Sequence, residues 1–194
     1  MNGGGDSVYT MIGASNHSLK VRERNDYYAT PPVAVERLLE LEEFHGRRIL
    51  EPCCGEGHIS KVLERRYEVV SNDLIDRGFG NPGIDFLGDE ITEWDGDIVM
   101  NPPYGLSMEF VVKALDILSP GRKLAAFLKL TFAEGKARRK AIFDENPPAR
   151  IWVSSSRLEC GKNGVFGNGS AICYAWWIWE KGLKDAVTEM RWFN

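Results

Sequence analysis

The chain has 194 residues, 43% hydrophobic and 27% charged, with a formal net charge of −4. That length suits one domain with a sizeable core of its own, and no apolar run is long enough to span a bilayer. The acidic balance weighs against a protein that grips phosphate backbones with its whole surface, though not against a local basic patch.

Residues 1 to about 22 are rich in glycine, serine and asparagine and lack apolar periodicity, which predicts a mobile tail. They also lack the cationic and apolar blocks of a signal peptide, which predicts a cytoplasmic protein. Thr30 followed by Pro31 reads as a helix start, a hydroxyl cap before a residue that needs no donor. Val35, Leu38 and Leu39 then follow helical spacing up to a break at Phe44-His45-Gly46. Arg48 to Glu51 is a short predicted strand, Ile59 to Arg66 a helix, and Tyr67 to Asp73 a second strand ending in an acid. Ile84 to Leu87 reads as a brief third strand and Gly96 to Met100 as the fourth. Phe110, Val111, Ala114, Leu115 and Leu118 form one helix face. Lys123 to Phe132 is a fifth strand, apolar almost throughout and hence central. A basic helix is predicted from Lys136 to Asp144, then strands at Arg150 to Ser154 and Ala171 to Trp179. Strands alternating with helices imply an α/β fold, a mostly parallel sheet covered on both faces. Cys53, Cys54, Cys160 and Cys173 show no metal-ligand spacing, which predicts reduced thiols and no metal.

Chemistry concentrates at the ends of these strands. Asn101-Pro102-Pro103-Tyr104 follows the fourth strand, where two prolines remove two backbone donors and fix the chain. Carbonyl groups of Asn101 and Pro102, the Asn101 side-chain oxygen and the flat Tyr104 ring offer acceptors beside a stacking platform. That set suits a planar group with an exocyclic NH2, a nucleobase or a carboxamide. Glu51-Pro52-Cys53-Cys54-Gly55-Glu56-Gly57 is a strand-to-helix turn in which glycine lets backbone approach a ligand. Asp73, closing the second strand, can accept both hydroxyls of a ribose. Asp85-Phe86 offers an acceptor beside an apolar face, suited to adenine. No third phosphate-type glycine and no Gly-Lys-Ser/Thr is present, so a nucleoside with an uncharged or cationic tail fits better than a pyrophosphate. Glu51 lies where it could attract the tail's ammonium.

Together these pieces resemble the class I S-adenosylmethionine-dependent methyltransferases of the N6-adenine type, particularly the compact DNA adenine methylases of phages and prophages. The likeness covers roughly residues 26 to 181, with the glycine loop before the tetrapeptide as in the gamma arrangement. It implies a three-layer, Rossmann-like sandwich with a seven-stranded sheet, the last strand antiparallel. The domain would span residues 23–182, with 183–194 a C-terminal extension. S-adenosylmethionine is the implied cofactor and S-adenosylhomocysteine the product. The implied contacts are the loop from Glu51 to Gly57, including Cys53 and Gly55, on the methionine portion, Asp73 with Leu74 on the ribose, and Asp85 and Phe86 on the adenine. Tyr28-Ala29-Thr30-Pro31 resembles the segment that closes over the cofactor. Asn101 to Tyr104 resembles the catalytic tetrapeptide, with Tyr104 stacking on a base taken out of the helix.

The ninety residues after the tetrapeptide are expected to form mostly three strands and two helices and not a separate target-recognition domain, so base specificity is expected from the loops Glu134 to Lys140 and Leu158 to Gly169, or from a protein partner. Lys136, Arg138, Arg139 and Lys140 either grip phosphates or form a solvated helix face. Trp176, Trp177 and Trp179 are expected in the core, and His58 on the pocket wall. DNA is the expected partner. The same tetrapeptide occurs in enzymes that methylate RNA or a protein glutamine, which are the alternatives, with the Thr30-Pro31 segment favouring nucleic acid over glutamine. An inactive cofactor-binding subunit of a nucleic-acid complex is the non-enzymatic alternative.

Overall fold

The computed structural model describes residues 27–156, 158, 160–162, 164, 166, 172–183 and 187–194. The expected N-terminal tail and most of the segment 157–171 lie outside them. Fourteen regular elements follow in chain order. They are β1 (Tyr28–Ala29), α1 (Pro32–Leu41), β2 (Arg48–Glu51), α2 (Ser60–Leu63), β3 (Glu68–Asp73), β4 (Asn81–Pro82) and β5 (Asp97–Met100), then α3 (Ser107–Ile117), β6 (Lys123–Lys129), α4 (Lys136–Arg138), β7 (Arg150–Ser154), β8 (Gly161–Lys162), β9 (Tyr174–Glu180) and β10 (Glu189–Phe193). Short 3-10 turns at Tyr104–Leu106 and Leu130–Ala133 and a π turn at Arg139–Phe143 join them.

Eight strands form one sheet in the order β10-β7-β9-β6-β5-β2-β3-β4. Neighbours are parallel except β9, which runs antiparallel to both β6 and β7. The sheet is thus mostly parallel, as expected, with the seventh predicted strand antiparallel. The eighth strand is β10, from the expected C-terminal extension, which pairs in parallel with β7 from Glu189↔Arg150 to Phe193↔Ser154.

Period-two alternation sends each central strand's side chains to two separate cores. Leu124, Ala126 and Leu128 of β6, with Trp177 and Trp179 of β9, meet Phe110, Val111, Ala114 and Leu115 of α3. Ala125 and Phe127, with Trp176 and Ile178, meet Ala34, Val35 and Leu38 of α1 and Val62 and Leu63 of α2. The result is three layers. All three tryptophans are buried to 2% exposure or less, so they belong to the cores and not to a base-stacking surface.

Three predicted elements differ. Ile84 to Leu87 is not a strand. Asn81–Pro82 makes the short parallel pairing with β3 instead, and Asp85 Oδ1 accepts the Leu87 N–H in a local turn that competes with a ladder. The helix after the glycine loop is only Ser60–Leu63, and the basic helix opens as the three-residue α4. Thr30 is not a cap: α1 begins after Pro31 with no side-chain cap, and Thr30 is 2% exposed.

Candidate active site

Parallel strands β2, β3 and β5 bring Glu51, Asp73 and Asn101 to one edge of the sheet. From β2 the chain crosses outward to β3 and then returns past β2 to β5, so the strand order reverses between β2 and β5. Open α/β sheets bind ligands at that crevice. A cavity of about 130 Å³ opens there, whereas one water needs only about 10–15 Å³. Tyr28, Thr30, Glu51, Cys53, Asp73, Leu74, Asp85 and Phe86 line it together with all of Asn101 to Tyr104. Residues separated by up to 76 positions in the sequence are therefore gathered around one space. Lys136, Arg138 and Arg139 are not among its lining residues.

Asn101 sits immediately after β5. Its Nδ2 donates to the Tyr28 carbonyl at 2.8 Å and to Thr30 Oγ1 at 2.9 Å. The Tyr28 carbonyl can only accept, which identifies that end of the amide as NH2 and leaves Oδ1 on the other side. Oδ1 is buried and has no hydrogen-bond partner. A buried acceptor left unsatisfied costs about 1–3 kcal/mol, so a ligand donor at this point recovers what the fold forgoes. The Asn101 backbone carbonyl, expected to be open to a ligand, instead accepts the Cys53 thiol at 3.4 Å.

Around the glycine loop the geometry is tighter. Asp73 Oδ2 accepts the Gly55 N–H and Oδ1 the Ile75 N–H, both at 2.8 Å, which ties the loop to the end of β3. Each oxygen keeps a further lone pair. Gly55 and Gly57 adopt φ of +57° and +78°, which an L side chain rarely tolerates. A Cβ at either position would meet the ring of Tyr27 or Phe79 within 2.5 Å, and neither glycine lines the cavity. Their freedom of conformation therefore lets two rings pack on the loop.

Glu51 is 1% exposed, and its Oε2 accepts the Ser60 N–H at 2.8 Å and the Ser60 hydroxyl. Burial pushes its carboxyl up to about 8, with the nearby Asp73 charge acting in the same direction. A cation entering the cavity would draw Glu51 back to its charged form.

Tyr104 is held as a wall. Its hydroxyl donates to the Tyr174 hydroxyl at 2.9 Å, the Tyr28 ring lies 4.9 Å away, and Lys129 Nζ sits 4.1 Å from its ring centroid. Tyr27 caps the loop side, accepting the Glu56 N–H and sharing a hydrogen bond with His58 Nδ1, each at 3.2 Å, under the Arg77 guanidinium. Burial lowers the pKa of His58, which lines the pocket wall. Sequence reasoning missed Tyr27, Arg77 and Lys129. Tyr27 could have been found as the neighbour of Tyr28, whereas nothing in the pattern marks Arg77 or Lys129.

No family model and no curated protein matches the chain in sequence. Solved structures do match in shape. One is a candidate class I S-adenosylmethionine-dependent methyltransferase from Listeria monocytogenes, with TM-score 0.61 and 16% identity over 86% of this chain and 65% of that one. A candidate RNA methyltransferase from Pyrococcus horikoshii gives 0.58 and 17% over 81% of this chain and 88% of that one. The modification subunit of a candidate type I restriction enzyme from Vibrio vulnificus gives 0.56 and 14% over 92% of this chain and 47% of that one. The chain therefore spans about two thirds of the first and under half of the third. With the strand order above, these likenesses define the fold as that of the class I S-adenosylmethionine-dependent methyltransferases.

Proposed function

We propose that the chain transfers the methyl group of S-adenosylmethionine to N6 of adenine in DNA, with the base taken out of the helix. The observation that carries this reading is the buried, unpartnered Asn101 Oδ1 at the wall of a cavity suited to a nucleoside. The residues fit the cofactor. Asp73 keeps acceptor capacity for ribose hydroxyls, Asp85 and Phe86 offer adenine a polar edge and an apolar face, and Glu51 answers a cationic tail. When bound, the cofactor supplies a methyl group already activated on a sulfonium sulfur.

What this chain adds is position. Asn101 Oδ1 and the Pro102 carbonyl accept hydrogen bonds from the two N6 protons. This draws the nitrogen lone pair out of conjugation with the ring and stabilises the positive charge that develops there. Tyr104, fixed by Tyr174, supplies a rigid aromatic wall for the extruded base. A nitrogen held this way would face the methyl group in line, the condition under which a weak nucleophile reacts. S-adenosylhomocysteine leaves as product, and the proton that N6 gives up passes to solvent. Because extrusion costs a few kcal/mol of unstacking, single-stranded or distorted DNA is the better substrate.

Adenine N6 in RNA is the second reading, favoured by the likeness to the Pyrococcus candidate RNA methyltransferase. Incubating the purified protein with a radioactive methyl donor and equal masses of DNA, RNA and cell protein separates the classes. Label is expected in DNA. Label confined to RNA moves the reading to the second form, and label confined to protein removes adenine as the target.

A further inference from the structure

Asn101 has two side-chain ends of nearly equal size and opposite hydrogen-bonding character. Turned by 180°, the amide would fill the same space but present NH2 to the cavity. That end repels an incoming amine and accommodates a carbonyl instead. Which end faces the ligand is therefore decided by whatever holds the other. In this chain the holders are the Tyr28 carbonyl and Thr30 Oγ1, at 2.8 and 2.9 Å from Nδ2. Tyr28 belongs to β1, which pairs antiparallel with β8 through Tyr28↔Lys162 and Ala29↔Gly161. Its carbonyl is thus placed by backbone. Thr30 is 2% exposed and makes no helix cap, so its hydroxyl is buried for another purpose. The Tyr28 carbonyl can only accept and so sets the sense of the amide, and the Thr30 hydroxyl, accepting from the same Nδ2, holds the amide in that sense.

We propose that Thr30, acting with the Tyr28 carbonyl, is the positioning residue that fixes the Asn101 amide with its oxygen toward the cavity. The pair thereby commits the site to a planar group bearing NH2 and against one bearing a carbonyl. A role for the tetrapeptide asparagine rests on the function proposed above. The clamp adds what sets its orientation, and it lies on the segment expected to close over the cofactor. The two roles of Thr30 differ in their kinetic signature. A residue that only holds cofactor changes KM for cofactor and leaves turnover at saturation intact, whereas a residue that orients Asn101 changes turnover at saturation.

The test compares Thr30→Val, which keeps the shape and removes the oxygen, with Thr30→Ser, which keeps the oxygen. The probe is a pool of random-sequence single-stranded oligodeoxynucleotides with saturating S-adenosylmethionine. Thr30→Val is expected to lower kcat about 10- to 100-fold, the scale of a mispositioned group, while S-adenosylhomocysteine affinity moves by less than about threefold. Thr30→Ser is expected within about threefold of wild type. Unchanged kcat in Thr30→Val with a raised cofactor KM overturns the proposal, as does a Thr30→Ser variant as slow as Thr30→Val. A second readout needs no turnover. The Asn101 side-chain NH2 pair in the ligand-free protein should be protected from exchange in the wild type and in Thr30→Ser, and lose protection in Thr30→Val. If that pattern holds while no nucleic acid is methylated, the clamp stands and the function reading fails. If the wild type methylates and Asn101 protection is the same in Thr30→Val, the clamp fails alone.

Discussion

Two buried glutamates sit at opposite edges of the same sheet and have opposite fates. Glu42, just after α1, lies at the edge where β6 and β7 begin. Its carboxylate receives Arg150 Nε at 2.5 Å and Nη2 at 2.8 Å, Trp152 Nε1 at 2.8 Å and Lys123 Nζ at 2.9 Å. Burial alone would raise its pKa, but these donors bring it below the usual carboxylate range. Glu51, at the other edge, has Ser60 as its donor and is pushed up to about 8. Beside it Asn101 Oδ1 has no partner at all. One edge is a closed polar network that ties α1 to the sheet, and the other keeps one buried acceptor without a partner beside a cavity. Buried polar atoms are nearly always paired in folded proteins, so this asymmetry marks where a ligand belongs.

The contrast can be broken from either side. The largest expected effect is on the closed edge: Glu42→Ala removes the buried carboxylate shared by Lys123 and Arg150 and leaves them the more exposed Glu180. Removing one partner of a buried ion pair costs about 3–5 kcal/mol. Urea denaturation should show that loss, with cofactor affinity per folded molecule unchanged. On the open edge, Asn101→Ala should lower turnover by about 10²–10³, the scale of removing one preorganised partner of a developing charge. Its denaturation midpoint should fall as well, by the equivalent of about 1–3 kcal/mol, because Nδ2 and its two hydrogen bonds to Tyr28 and Thr30 are removed with the oxygen.

Glu51 gives a smaller effect with a definite sign. Its folded pKa of about 8 lies above the ordinary 4.5, so between those values the native state holds more protons than the unfolded chain. Stability from this group is therefore complete below about pH 4.5 and is lost as pH rises through 8. Binding of a cationic ligand runs the other way, since it favours the carboxylate. S-adenosylhomocysteine affinity should tighten by up to about tenfold from pH 6.5 to 8.5, and Glu51→Gln should flatten that slope in calorimetry. The smallest effect belongs to the exposed Lys136 and Lys140, which contact neither edge. Replacing both with alanine should weaken oligonucleotide binding a few-fold and reduce its salt dependence by about one to two phosphate contacts, leaving saturated turnover as it was.

Much of this was legible in the sequence because it is written in periodicity and strand ends. The alternating apolar residues of β6 and β9, and the acids or amides that close β2, β3 and β5, fix the sheet and its ligand edge without any long-range information. Thr30 was misread because a buried hydroxyl before proline looks the same as a helix cap. Only the fold reveals that Asn101, 71 positions away, is its partner. Gly55 and Gly57 were rightly marked as special turns, but the rings that need their space come from Tyr27 and Phe79, each distant in sequence. Ile84 to Leu87 has strand composition, yet the Asp85 side chain satisfies its own backbone locally and so prevents a ladder. β10 shows no apolar alternation of a central strand because it is an edge, where Met190 and Trp192 remain exposed. The closed network around Glu42 left no signature, since its members lie up to 110 positions apart.

The central claim is that Asn101 Oδ1 receives the amine of an extruded adenine. Nucleoside analysis of single-stranded DNA treated with isotopically labelled methyl donor addresses it most directly. Label is expected in N6-methyl-2′-deoxyadenosine with the wild-type protein, and about 10²–10³ less with Asn101→Ala. Label in a different nucleoside, or equal label from both proteins, would contradict it.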